Sequence, residues 1–201
     1  MKSSKLTKLA LALALATPLF ASATSDITTG AGALAATGNL DFRVIIPKFL
    51  FLQVGSGTFM VDDAASIDMV EFDVPLASLG SGAPIAQTSP ASITARLRGN
   101  NGIISLIATT TGAMLNAPAG DSISFTTITA AAAGATSFAH PVFVDGAASA
   151  PVAVPVTSGT KITDRTTTWT FSYSNAAIVP AGTYGDTVAK NGRVTYTASM
   201  P

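Results

Sequence analysis

Pro47 restricts the fold more than any other residue, because it stands between two apolar segments that each read as a strand. Ahead of it, Leu40, Phe42, Val44 and Ile46 alternate with Asp41, Arg43 and Ile45. Behind it, residues 49–54 form a second apolar run, closed by Gly55, Ser56 and Gly57. Period-2 alternation is the pattern of a strand that buries one face. Proline has no N–H for a ladder and is confined to strand ends and edges. The two segments are therefore not read as one continuous central strand. The first is free to serve a different sheet from the second, in its own molecule or in another.

The chain opens with Lys2, Lys5 and Lys8, a short apolar core over residues 9–16, and Ala21-Ser22-Ala23. Basic residues, a short apolar core and a small-x-small site are the parts of a secretory signal. The core is too short to span a bilayer, which disfavours a transmembrane anchor. Residues 1–23 are thus expected to be removed, with a mature chain starting near Thr24. Cleavage takes three lysines and no acid, leaving eight basic residues against eleven acidic ones, a net charge of −3. That balance argues against nucleic acid and anionic membrane surfaces as partners. No later segment is apolar and long enough for a transmembrane helix. There is no cysteine, so the exported fold uses no disulfide. Charged residues make up 11% of the chain, against about a quarter in ordinary soluble domains. A surface of small and hydroxyl residues suits a protein that hides much of itself in an assembly.

Residues 24–38 are mostly Thr, Ala and Gly with little periodicity and read as a flexible leader. After Gly57 the chain repeats one theme, a short alternating run followed by a turn. Residues 67–75 form one run and residues 76–90 a loop. Residues 92–98 place Ile93, Ala95 and Leu97 on one face, with Thr94, Arg96 and Arg98 on the other. Gly99-Asn-Asn-Gly102 reads as a hairpin turn returning through residues 103–111. Residues 122–129 read as a strand and 130–133 as a loop before Gly134. The proline-bracketed runs 141–144 and 151–156 read as edge strands. Residues 166–174 are strongly β, with Trp169, Phe171 and Tyr173 on one face. A turn over residues 180–184 leads out, and residues 193–201 close the chain with Val194, Tyr196, Ala198 and Met200 on one face. No 3.6-residue apolar stripe follows the signal and no fixed-period repeat is present. Many short strands separated by turns indicate an all-β sandwich over residues 47–201.

Little in this chain points to catalysis. His140 is the only histidine, and a Ser-His-Asp arrangement would have to use it. No nucleophile motif surrounds it, so a structural or solvated role is the expectation. Asp62, Asp63, Asp68, Glu71 and Asp73 are the densest acidic cluster, and Glu71 and Asp73 share a strand face. They form half of a conceivable Ca²⁺ site, but without EF-hand-like spacing, and a solvated strand face is the preferred reading. Glu71 is the sole glutamate, and no facing carboxylate pair for a glycosidase is apparent. Trp169, Phe171 and Tyr173 suit a sugar-stacking platform or a core, and alternating aromatics on one strand favour the core. No catalytic residue, metal site or cofactor is assigned.

The two ends of the chain together resemble the pilin subunits of bacterial chaperone–usher fimbriae. The closest likeness is to the disulfide-free colonisation-factor type built by the alternate chaperone pathway. Such subunits begin with an alternating β segment, a proline and a first strand ending in a glycine-containing turn; here these are residues 40–46, Pro47 and residues 48–55. They close with a Gly-Thr-Tyr type turn and an alternating terminal strand; here these are residues 181–184 and 193–201. The resemblance implies an immunoglobulin-like β-sandwich of antiparallel strands that lacks its last strand. The N-terminal segment of the next subunit fills the gap, satisfying an open edge and plugging alternate side chains into the core. Residues 39–46 are then the donor strand, with Leu40, Phe42, Val44 and Ile46 as its plugs. Val194, Tyr196, Ala198 and Met200 line the accepting edge. The implied partners are copies of this chain or related pilins, a periplasmic chaperone and an outer-membrane usher. The implied route runs through the periplasm to a cell-surface fimbrium. Two departures bear on the donor register: a longer leader than such a subunit needs, and Arg43, tolerable in a donor strand only where it faces solvent. Two other readings stay open. Residues 40–46 are the first strand of a self-complete sandwich, kinked at Pro47, or the chain is a secreted binding module recognising glycan or a host surface. An enzyme ranks third.

Overall fold

The computed structural model describes residues 24–62, 67–117 and 120–201. The signal assigned to residues 1–23 lies outside them. The chain divides into two units, with the boundary between Ile46 and Pro47.

In the first unit, residues 24–46 form no strand and every one of them is exposed. Thr24 Oγ1 accepts from Asn39 N at 2.8 Å, and Thr28 Oγ1 donates to Ala35 O at 2.9 Å. Both bonds are exposed and join a threonine hydroxyl to a backbone group.

The second unit is all β, with ten strands among its described residues: β1 (Leu50–Val54), β2 (Ile85–Ala86), β3 (Ile93–Gly99), β4 (Ile104–Thr110), β5 (Met114–Asn116), β6 (Asp121–Ile123), β7 (Ile128–Ala133), β8 (Val152–Val154), β9 (Thr163–Tyr173) and β10 (Val194–Ser199). The helical turns among the described residues are short 3₁₀ segments. All pairings between strands are antiparallel. The larger sheet runs β1-β3-β9-β2 with β7 also on β9; a second sheet runs β10-β4-β8; β5 and β6 form a ribbon. β9 is the hub. Its residues 163–169 pair with β3, and residues 168–173 pair with β7.

The two main sheets face each other across one core. Ile93, Ala95 and Leu97 of β3 meet Ile104, Leu106 and Ala108 of β4, all at most 4% exposed, with Val154 and the fully buried Trp169 between them. Alternation on each strand produces this layer, since successive side chains point to opposite faces. Burying a Leu, Ile or Val side chain contributes about 1.5–3 kcal/mol relative to leaving it in water, so these residues define the sandwich.

Several local expectations are corrected. The turn at residues 99–102 is real, with Gly102 at φ +113°, but it does not make a hairpin. β3 and β4 enter different sheets. The polar groups of the turn are taken by other partners. Asn100 bonds the Phe49 N–H and the Pro47 carbonyl, Asn101 donates to the Pro201 carbonyl, and Gly102 N donates to Lys161 O. The expected strand over residues 122–129 is broken by a 3₁₀ turn at Phe125–Thr127, where Ser124 Oγ accepts from Thr126 N. Residues 130–133, read as a loop, belong to β7, because β9 offers them a ladder. Residues 141–144 form no strand, although Pro141 and Phe143 point inward. Residues 67–75 keep their alternation, with Val70, Phe72 and Val74 half-buried, yet make only a single bridge, Glu71 to Ser89. The segment 76–90, read as loop, contains β2 and a 3₁₀ turn at Leu76–Ser78. β8 is an edge strand, as its flanking prolines suggest.

Candidate functional site

A mostly apolar cleft of about 870 Å³ opens in the sandwich unit. Phe125, Phe143 and Phe171 line its depth, Val70 and Phe72 one side, and Val194 and Tyr196 another. These side chains reach it for simple reasons. Val70 and Phe72 are the inward positions of an extended segment, Phe171 is an inward position of β9, and Val194 and Tyr196 are inward positions of β10. The cleft is therefore a stretch of sandwich interior left open to solvent.

β10 lies at the end of its sheet. It pairs with β4 from Val194↔Thr110 to Ser199↔Ser105, and no described strand takes its other edge. β1 likewise ends the larger sheet. An unpaired edge presents a row of N–H and C=O groups ready to pair with another chain. At one end the termini of β1 and β10 are tied, because Lys48 Nζ and Asn101 Nδ2 both donate to the Pro201 carbonyl.

The four residues assigned to the accepting edge share one face of β10 and its continuation, all partly buried against the core. Val194 and Tyr196 line the cleft; Ala198 and Met200 pack beyond it, with Met200 Sδ lying over Gly99. The four residues assigned as plugs lie in the first unit and bury nothing there: Leu40, Phe42, Val44 and Ile46 are 64–87% exposed. Ile45 is 73% exposed, so both faces of the segment are in solvent.

His140 sits beneath β10, 9% exposed. Its Nε2 lies 2.7 Å from the Tyr196 hydroxyl. Its ring meets Phe143, Trp169, Phe171 and Tyr196 edge-to-face, at centroid distances of 4.6–5.5 Å. Burial outweighs a bond to the Pro141 backbone and pulls the imidazole down to about pKa 4, so it is neutral at pH 7. Burial also pushes the Tyr196 hydroxyl up.

The acidic cluster does not converge. Among the described residues, no group of three or more His, Cys, Asp or Glu side chains comes together to hold a metal; Asp63 lies outside those residues. Asp68 is committed to the turn after β1, accepting from Ser56 N at 2.8 Å and from Ser56 Oγ at 2.6 Å. Glu71 and Asp73 point to solvent at the cleft rim. Trp169, Phe171 and Tyr173 are core residues, at most 7% exposed, which leaves no stacking platform there. The partly exposed aromatic feature lies elsewhere. Phe59 meets Phe51 edge-to-face and lies beneath Arg96, at 4.5 Å, and Arg98, at 5.3 Å, on the outer face of the larger sheet. The alternation of Arg96 and Arg98 with Leu97 was legible; that Phe59 folds back onto them was not, since a loop residue carries no periodicity.

No helix among the described residues is long and apolar enough to cross a membrane. Compared with family models, with curated proteins and with solved structures, the chain has no match.

Proposed function

We propose that this protein is a structural subunit of a bacterial surface fimbria or filament, exported through the periplasm and assembled by strand donation. The supporting observation is a matched pair of deficits. Residues 40–46 carry an alternating apolar pattern with nothing buried, and the sandwich has an open apolar cleft beside a free strand edge. An added strand corrects both deficits at once, its backbone pairing with β10 and its alternate side chains entering the cleft. On this reading the fold is an immunoglobulin-like sandwich completed in trans, and a chaperone and an usher act before the neighbouring subunit does. Strand exchange needs no catalytic residue and no cofactor.

The test removes residues 24–46. The expected product, residues 47–201 behind the signal, caps a filament but does not extend one, and it binds a synthetic peptide of residues 39–47. Assembly that proceeds unchanged from a stable truncated monomer would overturn the proposal.

The Phe59–Arg96–Arg98 cluster favours a second reading, a secreted binding module that recognises glycan. An aromatic face overlaid by guanidinium groups suits a sugar ring bearing a carboxylate. Glycan-array binding by the monomer, lost in Phe59→Ala and unaccompanied by polymerisation, would favour that reading over the first.

A further inference from the structure

We propose that His140 is an acid-responsive latch: in its neutral form it holds Tyr196 in the cleft wall, and its protonation loosens β10. The inference concerns the wall of the cleft and does not depend on which occupant the cleft takes.

The geometry places the bond at Nε2. Nε2 lies 2.7 Å from the Tyr196 hydroxyl, and a neutral imidazole carries one N–H donor and one acceptor nitrogen while a hydroxyl can serve as either. The neutral ring therefore closes this bond in either tautomer.

Protonation makes both ring nitrogens donors. The bond to Tyr196 can then run only from Nε2 to the hydroxyl oxygen, and the hydroxyl proton has no second hydrogen-bond partner among the described residues. The new charge also lies in an apolar box. β9 presents Trp169 and Phe171, the histidine's own segment presents Phe143, and β10 presents Tyr196, the one titratable group in contact. Among the described residues, no charged side chain acts on the ring. The aromatic faces offset part of the cost of the charge, but burial outweighs them.

β10 is the element that yields. Trp169 and Phe171 belong to the hub strand, paired on both edges, whereas β10 pairs with β4 alone. Moving β10 outward lets water reach the imidazole while most of the core stays in place. The sign follows from linkage. The opened state titrates near 6.5 and the closed state near 4, so the opened state binds more protons between those values. Closure is therefore at full strength above pH 6.5 and is lost as pH falls toward 4. Opening of β10 should rise about tenfold per pH unit across that window, to a limit of about 300-fold.

The experiment uses the whole mature chain, whose single histidine gives one imidazole resonance. The expected midpoint for that resonance is near pH 4. Amide exchange, corrected for its intrinsic pH dependence, should show β10 opening more often as pH falls from 6.5, with β3 and β9 holding their protection. His140→Gln, which keeps an amide able to bond Tyr196 and takes up no proton, should show no such rise. If that variant does not fold, the resonance and the contrast between strands decide the matter in the unaltered protein. A midpoint near 6.5, equal loss of protection in β10 and β3, or a rise that persists in His140→Gln would each overturn the proposal.

Discussion

Asn175 is 1% exposed and sits just past the end of β9 in the left-handed region, at φ +47°. Asparagine tolerates that conformation better than most residues. Its Oδ1 accepts from Gly80 N at 3.1 Å, its Nδ2 donates to Ser78 O, and its own carbonyl accepts from Gly82 N at 3.0 Å. One side chain thus replaces the ladder that residues 78–82 lack. Asn175→Ala strips a backbone donor and a backbone acceptor of partners and adds the strain of alanine at positive φ. The expected loss is about 2–4 kcal/mol, read as a lower urea midpoint at unchanged m-value. Asn175→Gly should lose less, because it relieves the strain and not the missing bonds. Nothing in the sequence marked this residue. A buried polar anchor is defined by what lies across the fold from it, and Ser78 to Gly82 are more than ninety positions away. Trp169, by contrast, was legible as core, because its neighbours Phe171 and Tyr173 repeat at strand period. Its Nε1 donates to Phe138 O at 3.3 Å, as a buried indole requires.

Strands were easier to see than their partners. The alternation of Ile93, Ala95 and Leu97 and the pattern from Ile104 to Ala108 follow directly from which face is buried. That alternation is the same whether two strands pair side by side or face each other across a core, so the turn between them was misread as a hairpin. β7 was missed for the complementary reason: a run of alanines has no pattern of its own and takes strand form because β9 offers it a ladder. The entry to β10 depends on a close approach that composition does not reveal. A Cβ on Gly192 would lie 2.5 Å from Asp186 N and 2.8–2.9 Å from Gly185, and all of those contacts are backbone. Gly192→Ala should therefore cost about 1–3 kcal/mol through overpacking. Because the clash falls at the root of β10, amide exchange in that strand should quicken before exchange in β3 does.

At the scale of the whole molecule, Pro47 marks the boundary between a folded sandwich and a segment whose apolar side chains stay in water. The alternation of residues 40–46 was legible, but its destination was not, since a period-2 pattern names a face to bury and not the molecule that buries it. This separates two effects that usually travel together. Phe42 and Val44 are 87% and 83% exposed, so Phe42→Asp and Val44→Asp should leave the unfolding free energy of the isolated chain within about 0.5 kcal/mol. In a donated strand the same changes place a carboxylate in an apolar cleft without a partner, a cost of several kcal/mol. On the proposed function, unboiled surface material should then show monomer in place of a ladder of multimers, from a protein whose melting is unaltered. Arg43 makes the complementary case. The rim of the cleft carries Asp68, Glu71 and Asp73 against Arg193, with Asp186 paired to Lys190 at 2.8 Å, and on the proposed donation a cationic outer position on the incoming strand complements that rim. Rim charges act chiefly on encounter rate, and their reach shrinks with ionic strength, to about 8 Å at 0.15 M salt. On the proposed strand donation, Arg43→Glu should therefore slow assembly most at low salt and leave the finished filament as resistant to dissociation as before. Equal slowing at all salt concentrations would place Arg43 in a buried contact and rule out its part in steering.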